Sequence, residues 1–112
     1  LLAAQALLRQ VPVGEQVLEA ILALVRGARP DTAAEDTVSR HVAWGPGPRA
    51  AQALMLASRA LALLDGRPAP SLEDIRLLAR PVLRHRMALS FAARAEGLTI
   101  ETIIDRLTAT LA

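Results

Sequence analysis

No cysteine, lysine, tyrosine or asparagine occurs in this chain of 112 residues. The missing cysteines exclude disulfides, zinc knuckles and a thiol nucleophile, and leave the redox compartment unmarked. The missing lysines exclude a Walker-A lysine, a Schiff base and a lysine general base. The chain therefore cannot hydrolyse ATP by the P-loop route alone. Aromatic residues are limited to Trp44 and Phe91, fewer than the stacking platforms of single-strand nucleic-acid binders require. No apolar run approaches the ~20 residues of a membrane-spanning helix, so no membrane partner is expected. Leu1 opens the chain with no charged leader region. No signal peptide is expected, and the sequence reads as a piece excised from a longer chain.

What is present is mostly helix-forming. Alanine (23) and leucine (20) dominate an apolar share of 53%, against only 7 valines and 5 isoleucines. That balance favours an all-α fold, and the length suits one domain with a modest core. All 13 basic residues are arginines, set against 11 acidic residues for a net charge of +2. The sequence pI near 10.9 reflects arginine's refusal to titrate rather than a large basic excess. The charges interleave, and no basic run exceeds Arg84-His85-Arg86. Nucleic acid is not the expected partner.

Hydrophobic periodicity predicts a bundle of four to five helices. Leu1, Ala4, Leu7 and Leu8 share one side of a first Ala/Leu stretch, interrupted at Pro12-Val13-Gly14. From Glu15 to Gly27, the apolar residues Val17, Leu18, Ile21, Leu22, Leu24 and Val25 form a stripe broad enough to predict a mostly buried helix, with Gly27 as its terminator. Arg29 to Gly47 is the least regular part, a length of loop that is usually functional or disordered. Within it, the alternation of Val38, Arg40 and Val42 predicts one short extended segment around Val38–Val42. Pro48 is a good first-turn residue. After it, Ala50, Leu54, Ala57, Leu61 and Leu64 make a seam that ends at Asp65-Gly66.

Ser71 and Asp74 read as a relative of the capping box, with Leu72, Ile75, Leu78, Ala79 and Val82 facing inward behind them. Pro81 predicts a break or kink near Ala79-Arg80. Leu89 to Gly97 reads as a connector. Thr99 caps a last helix with the cleanest stripe of the chain: Ile100, Ile103, Ile104, Leu107 and Leu111.

Few residues carry chemistry. His41 and His85 are far apart with no paired-ligand spacing, and no metal site is expected. Ser39, Ser58, Ser71 and Ser90 lack a nucleophile-elbow context, and the pairs Glu35-Asp36 and Glu73-Asp74 suit solvated or capping roles. No self-contained active site is visible. The sharpest arrangement is Gly45-Pro46-Gly47-Pro48-Arg49-Ala50, a Gly/Pro turn that delivers an arginine into the first turn of a helix. First-turn N–H groups favour an anion there, and a guanidinium adds a permanently charged fork suited to phosphate oxygens. The plainer reading is that Arg49 packs its stem or pairs with an acidic neighbour.

The run from Gly45 through Gly47-Pro48-Arg49-Ala50-Ala51-Gln52-Ala53-Leu54, and then Arg59 to Arg67, resembles the MoxR family of AAA+ ATPases, relatives of magnesium chelatase. Leu72-Glu73-Asp74-Ile75, Val82 to Arg86, Leu89-Ser90-Phe91 and Ala95-Glu96-Gly97 add to the resemblance, in order, from about Val13 to Leu111. It implies that residues 1–112 form one helical lid domain, following a nucleotide-binding core upstream. Arg49 is then the sensor-2 arginine, acting in trans to that core, with Pro48 beside it in the nucleotide contact. Trp44 becomes a core or hinge anchor, or a contact to adenine. Arg84, His85 and Arg86 face the core domain or a neighbouring subunit, or else form a solvated helix end. Two departures from the family pattern stand out: Gly47 occupies the usual serine position before Pro-Arg, and Trp44 a usually aliphatic one.

The same resemblance implies ATP and Mg2+ for the full-length protein and none for this stretch alone. It also implies a hexameric ring, a chaperone-like role in the bacterial cytoplasm, and a client or von Willebrand A-domain protein as partner. The alternative to the lid is a freestanding helical module for protein interaction or, as a helix-turn-helix, for DNA.

Overall fold

A computed structural model describes residues 10–34 and 36–111; the stripe of Leu1, Ala4, Leu7 and Leu8, and Glu35 of the first acidic pair, lie outside them. Among the described residues there are six helices and one two-stranded ladder: α1 (Glu15–Gly27), α2 (Asp36–His41), β1 (Val42–Trp44), α3 (Pro48–Leu64), α4 (Leu72–Leu83), β2 (Ala88–Leu89), α5 (Phe91–Ala95) and α6 (Ile100–Ala109). The four long helices make an all-α bundle, with α3 packed most extensively on α4, and α1 laid across α3, α4 and α6. Ile21, Leu24, Leu54, Ile75, Leu83, Ile103 and Ile104 are the largest apolar side chains withdrawn from solvent, so every long helix contributes to one core.

The helix ends follow local chemistry. Ser71, Ser90 and Thr99 each accept a hydrogen bond from the backbone N–H three residues on, and so start α4, α5 and α6. At the other end, α3 and α5 close with glycines in the left-handed region, Gly66 (φ 71°) and Gly97 (φ 85°). Arg67 N–H returns to Ala62 O (2.8 Å) and Leu98 N–H to Ala93 O (3.1 Å), the long-range bond of a Schellman termination.

Four expectations need correction. The α1 helix is buried along one face only: Leu18 and Leu22 are exposed while Val17, Ala20, Ile21, Leu24 and Val25 are not. A single row at intervals of three and four residues suffices for a helix at the edge of a bundle. Gly27 does not terminate α1 by a left-handed turn. It is the last helical residue, and a Cβ there would stand 3.3 Å from Leu107 Cδ2, so its bare backbone admits α6 instead.

In α3 the buried row is Ala50, Leu54, Ser58 and Ala62, and Leu64 is 86% exposed. This row is an i, i+4 ridge, the kind that interdigitates with a neighbouring helix. Ser58 tolerates complete burial because its hydroxyl donates to Met55 O at 2.9 Å. Finally, α4 is not broken by Pro81 but runs on to Leu83. Pro81 is exposed, so its ring lies on the solvent side and the carbonyl one turn back is open to water.

The joint between α3 and α4 is ionic. Asp74 is buried, and both its oxygens receive Arg67, at 2.7 Å from Nη1 and 2.9 Å from Nη2. Arg67 Nε also donates to Asp65 at 2.8 Å. The Ser71 N–H donates to Asp74 Oδ2 at 2.8 Å, completing the capping box. The Arg67 guanidinium holds the Asp74 carboxyl below its ordinary value, against the opposing effect of burial and with help from Ser71. On the surface, Arg80 of α4 grips both oxygens of Asp105 on α6, and Arg76 reaches Leu111 O at 2.8 Å.

Two stability measurements check this packing. Ile104 is fully buried, so Ile104→Ala should destabilise the chain by ~2–5 kcal/mol in a thermal or denaturant melt; an unchanged midpoint would show that α6 is not a core helix. Because the folded-state pKa of Asp74 lies below the ordinary 3.8, its contribution is complete above that value and is lost as pH falls through the depressed one. Asp74→Asn should therefore cost roughly 1.5–3 kcal/mol near neutrality. It should also flatten the acid-side decline of the melting curve. A variant that melts with the parent at every pH would show that the pair adds nothing.

Candidate functional site

The irregular stretch resolves into a short helix, a strand and a turn. Residues 36–41 are helical, with Asp36 in the first turn and Arg40 and His41 in the last, so that the Asp36 carboxylate and the Arg40 guanidinium suit the helix dipole. Val38 is buried inside that helix, so the extended segment begins only at Val42. His41 Nδ1 lies 2.9 Å from Thr37 O, its Nε2 lies 3.5 Å from Glu96, and its carbonyl accepts the Ser90 N–H at 2.7 Å. Long-range pairing, invisible in the local pattern, thus decides where the strand starts.

The strands β1 and β2 pair antiparallel, Val42 with Leu89 and Trp44 with Ala88, leaving an irregularity at Ala43. In a regular strand residues 42 and 44 share one face. Here the extra residue re-aims the chain: Val42 is buried while Trp44 is 55% exposed. Trp44 is therefore no core anchor. The antiparallel register also brings two candidate segments together, because Gly45–Arg49 leaves, and Arg84–Met87 approaches, the same end of the ladder.

Beyond Trp44, Gly45 lies against the end of α1, Pro46 is fully buried and Gly47 is extended at the N-cap of α3. No side chain caps this helix, since Gly47 has none to offer. Pro48 and Arg49 are both exposed, and no described residue pairs with the Arg49 guanidinium. Pairing with an acidic neighbour, the plainer reading of Arg49, is absent among the described residues. Nearby Arg29 is engaged with Asp31 at 3.3 Å. Arg84 and His85 are exposed, while Arg86 donates to Val82 O at 2.8 Å, which closes the end of α4.

No group of three or more His, Asp or Glu side chains among the described residues could hold a metal ion. A groove of ≈ 600 Å³ between α1 and α6 is lined by Gln16, Glu19, Ala20, Leu24 and Leu107, among others, and neither Arg49 nor Trp44 reaches it. No helix among the described residues is long and apolar enough to cross a membrane.

Residues 34–107 match the family model of the AAA lid domain. The chain belongs to the AAA lid domain family. Within it the sequence sides with the MoxR proteins. It is 34% identical over 84 residues to Chaperone MoxR1 of Mycobacterium tuberculosis, covering 75% of this chain. It is 39% identical over 75 residues to Protein MoxR of Paracoccus denitrificans, covering 65% of this chain. The matched regions span 22% of the length of each relative. A crystal structure from Cytophaga hutchinsonii, of a protein assigned as an ATPase, superposes with a TM-score of 0.86 at 27% identity, over 94% of this chain and 32% of that one. The lid model and the two MoxR proteins thus agree on a lid of the MoxR type, and its fold recurs in part of that crystal structure.

The resemblance was legible in the Pro48-Arg49 motif and its flanks. Arg67 lies within that resemblance, but its partnership with Asp74 carries no local signal, because it depends on a turn that folds back across seven residues.

Proposed function

We propose that this lid closes over ATP held by a nucleotide-binding core elsewhere in the polypeptide, and that Arg49 is its sensor-2 arginine. The observation that carries the reading is the state of Arg49: exposed, unpaired among the described residues, and placed in the first turn of a helix without a side-chain cap. A guanidinium kept free of carboxylates is available to a phosphate, and the first-turn N–H groups favour the same charge. ATP with Mg2+ supplies the phosphoryl chemistry when bound. The chain's own part is to bring a fixed positive charge to the terminal phosphate as the lid closes, a form of electrostatic stabilisation that is large in phosphoryl transfer.

The Mg2+ ligands, the Walker motifs and the water-positioning group belong to the core, in keeping with the missing lysine and the lack of an acidic cluster among the described residues. Arg84 and His85, exposed at the same end of the ladder as Arg49, face that core or the next subunit of a ring, proposed as a hexamer. Trp44, half out of solvent one residue before the Gly/Pro turn, suits a hinge or adenine contact. The assembly is proposed to act as a chaperone in the bacterial cytoplasm on a client or von Willebrand A-domain protein.

In the full-length enzyme, Arg49→Ala should lower ATP turnover about ten- to hundredfold, the value of one charge-assisted phosphate contact. Arg49→Lys should rescue only in part, because an ammonium cannot make the two-pronged contact. Exposed Arg94, on α5, is the control: Arg94→Ala should hydrolyse ATP like the parent. Parental turnover and nucleotide affinity in Arg49→Ala would end the sensor reading.

The isolated chain should show no ATP turnover and at best about millimolar affinity. Micromolar, magnesium-dependent binding of ATP to it by calorimetry would contradict a site divided between lid and core.

A further inference from the structure

We infer that Gly45 is a positioning residue for Arg49: its backbone rests on the end of α1, and this contact sets the height at which the arginine is presented. The inference rests on the sensor-2 reading of Arg49. A Cβ at residue 45 would stand 2.6 Å from Ala28 O and 2.8 Å from Arg29 Cα. Both are backbone atoms, so no rotamer change relieves the clash. Nor can Ala28 retreat easily. It is fully buried, its N–H is bonded to Leu24 O at 3.1 Å, and Leu107 of α6 closes on Gly27 behind it.

The link from Gly45 to Arg49 is short and stiff. Of the three intervening residues, Pro46 and Pro48 have fixed φ angles, and Pro46 is fully buried. Gly47 between them has open space around its Cβ position. A displacement at Gly45 therefore passes to Arg49 with little slack. Restoring ordinary contact at 3.4 Å or more from 2.6 Å requires the loop and the α1 end to separate by about 0.8 Å. A misplacement of ~1 Å is enough to cost up to a hundredfold in rate where a charge must meet a reacting group.

The test is a double-variant cycle on ATP hydrolysis by the full-length enzyme. Gly45→Ala should lower turnover about tenfold or more, should divide between kcat and KM as Arg49→Ala does, and should cost nothing further in the Arg49→Ala background. Gly14→Ala, whose Cβ meets open space, and Ile104→Val, a mild core lesion, should keep the parent's turnover and show that lost stability alone does not produce the effect. Equal losses from Gly45→Ala with and without Arg49 would overturn positioning through the arginine. Normal turnover in Gly45→Ala beside a defective Arg49→Ala would overturn it too while sparing the sensor reading. Full activity in Arg49→Ala would remove both. If Gly45→Ala does not fold, Pro46→Ala carries the same cycle, because it releases the buried pin of the loop without adding an atom, and the same outcomes decide.

Discussion

The carboxylate of Asp74 is the point at which the two most extensively packed helices are locked to each other. A charge taken out of water is costly unless it is paired and hydrogen-bonded. Here both oxygens are engaged by Arg67, and one also accepts the Ser71 N–H. The same residue therefore starts α4, fixes the turn that follows α3, and holds the crossing of the two helices. The same two helices also share the apolar core, Ala50 and Leu54 of α3 clustering with Ile75, Ala79 and Leu83 of α4. Arg49 stands at the opposite end of α3, a helix of 17 residues, or about 25 Å. The ionic joint and the candidate site thus share one helix, the joint just past its last residue and the site in its first turn.

A Gly/Pro turn, a bare N-cap and a guanidinium unpaired among the described residues are, in the proposed reading, half of an anion site, and the groove between α1 and α6 lies elsewhere. Such a half-site matches the proposed division of labour, in which a separate core holds the nucleotide and the lid contributes a charge on closing. The turn that carries the charge is fixed from below by α1, through the Gly45 backbone, and from the side by the β1–β2 ladder. Close approach makes glycine necessary at Gly45, over the Ala28 backbone, and eases the contact of Gly27 with Leu107. Neither is needed there for an unusual φ.

Much of this was legible in advance. The Pro48 start of α3, the Asp65-Gly66 stop, the Ser71 box and the Thr99 cap all follow from short-range chemistry, and each is where the residues put it. The motif around Arg49 was legible for the same reason, since its turn, cap and cation are contiguous. The errors were of another kind. Val38 alternates with Arg40 and Val42 yet sits in a helix. Leu64 continues the seam of α3 yet lies in solvent. Of the alternatives for Trp44 only the core anchor is lost, since the ring lies half in solvent. In each case a partner distant in sequence decides: Ser90 bonded to His41, α4 covering one side of α3, and β2 pairing across an irregularity at Ala43.

The sequence by itself determined the helical class, most helix ends and the Pro48-Arg49 motif, because propensity, capping and turn chemistry act within four or five residues. Only the tertiary structure decided which face of each helix is buried, where the single ladder forms and which carboxylate receives Arg67. It also decided that the carbonyl of Ala28 lies against Gly45, 17 positions further on. Contacts of this kind depend on the close packing of surfaces that are far apart in the chain, and periodicity counts residues along one element without knowing what will lie opposite it.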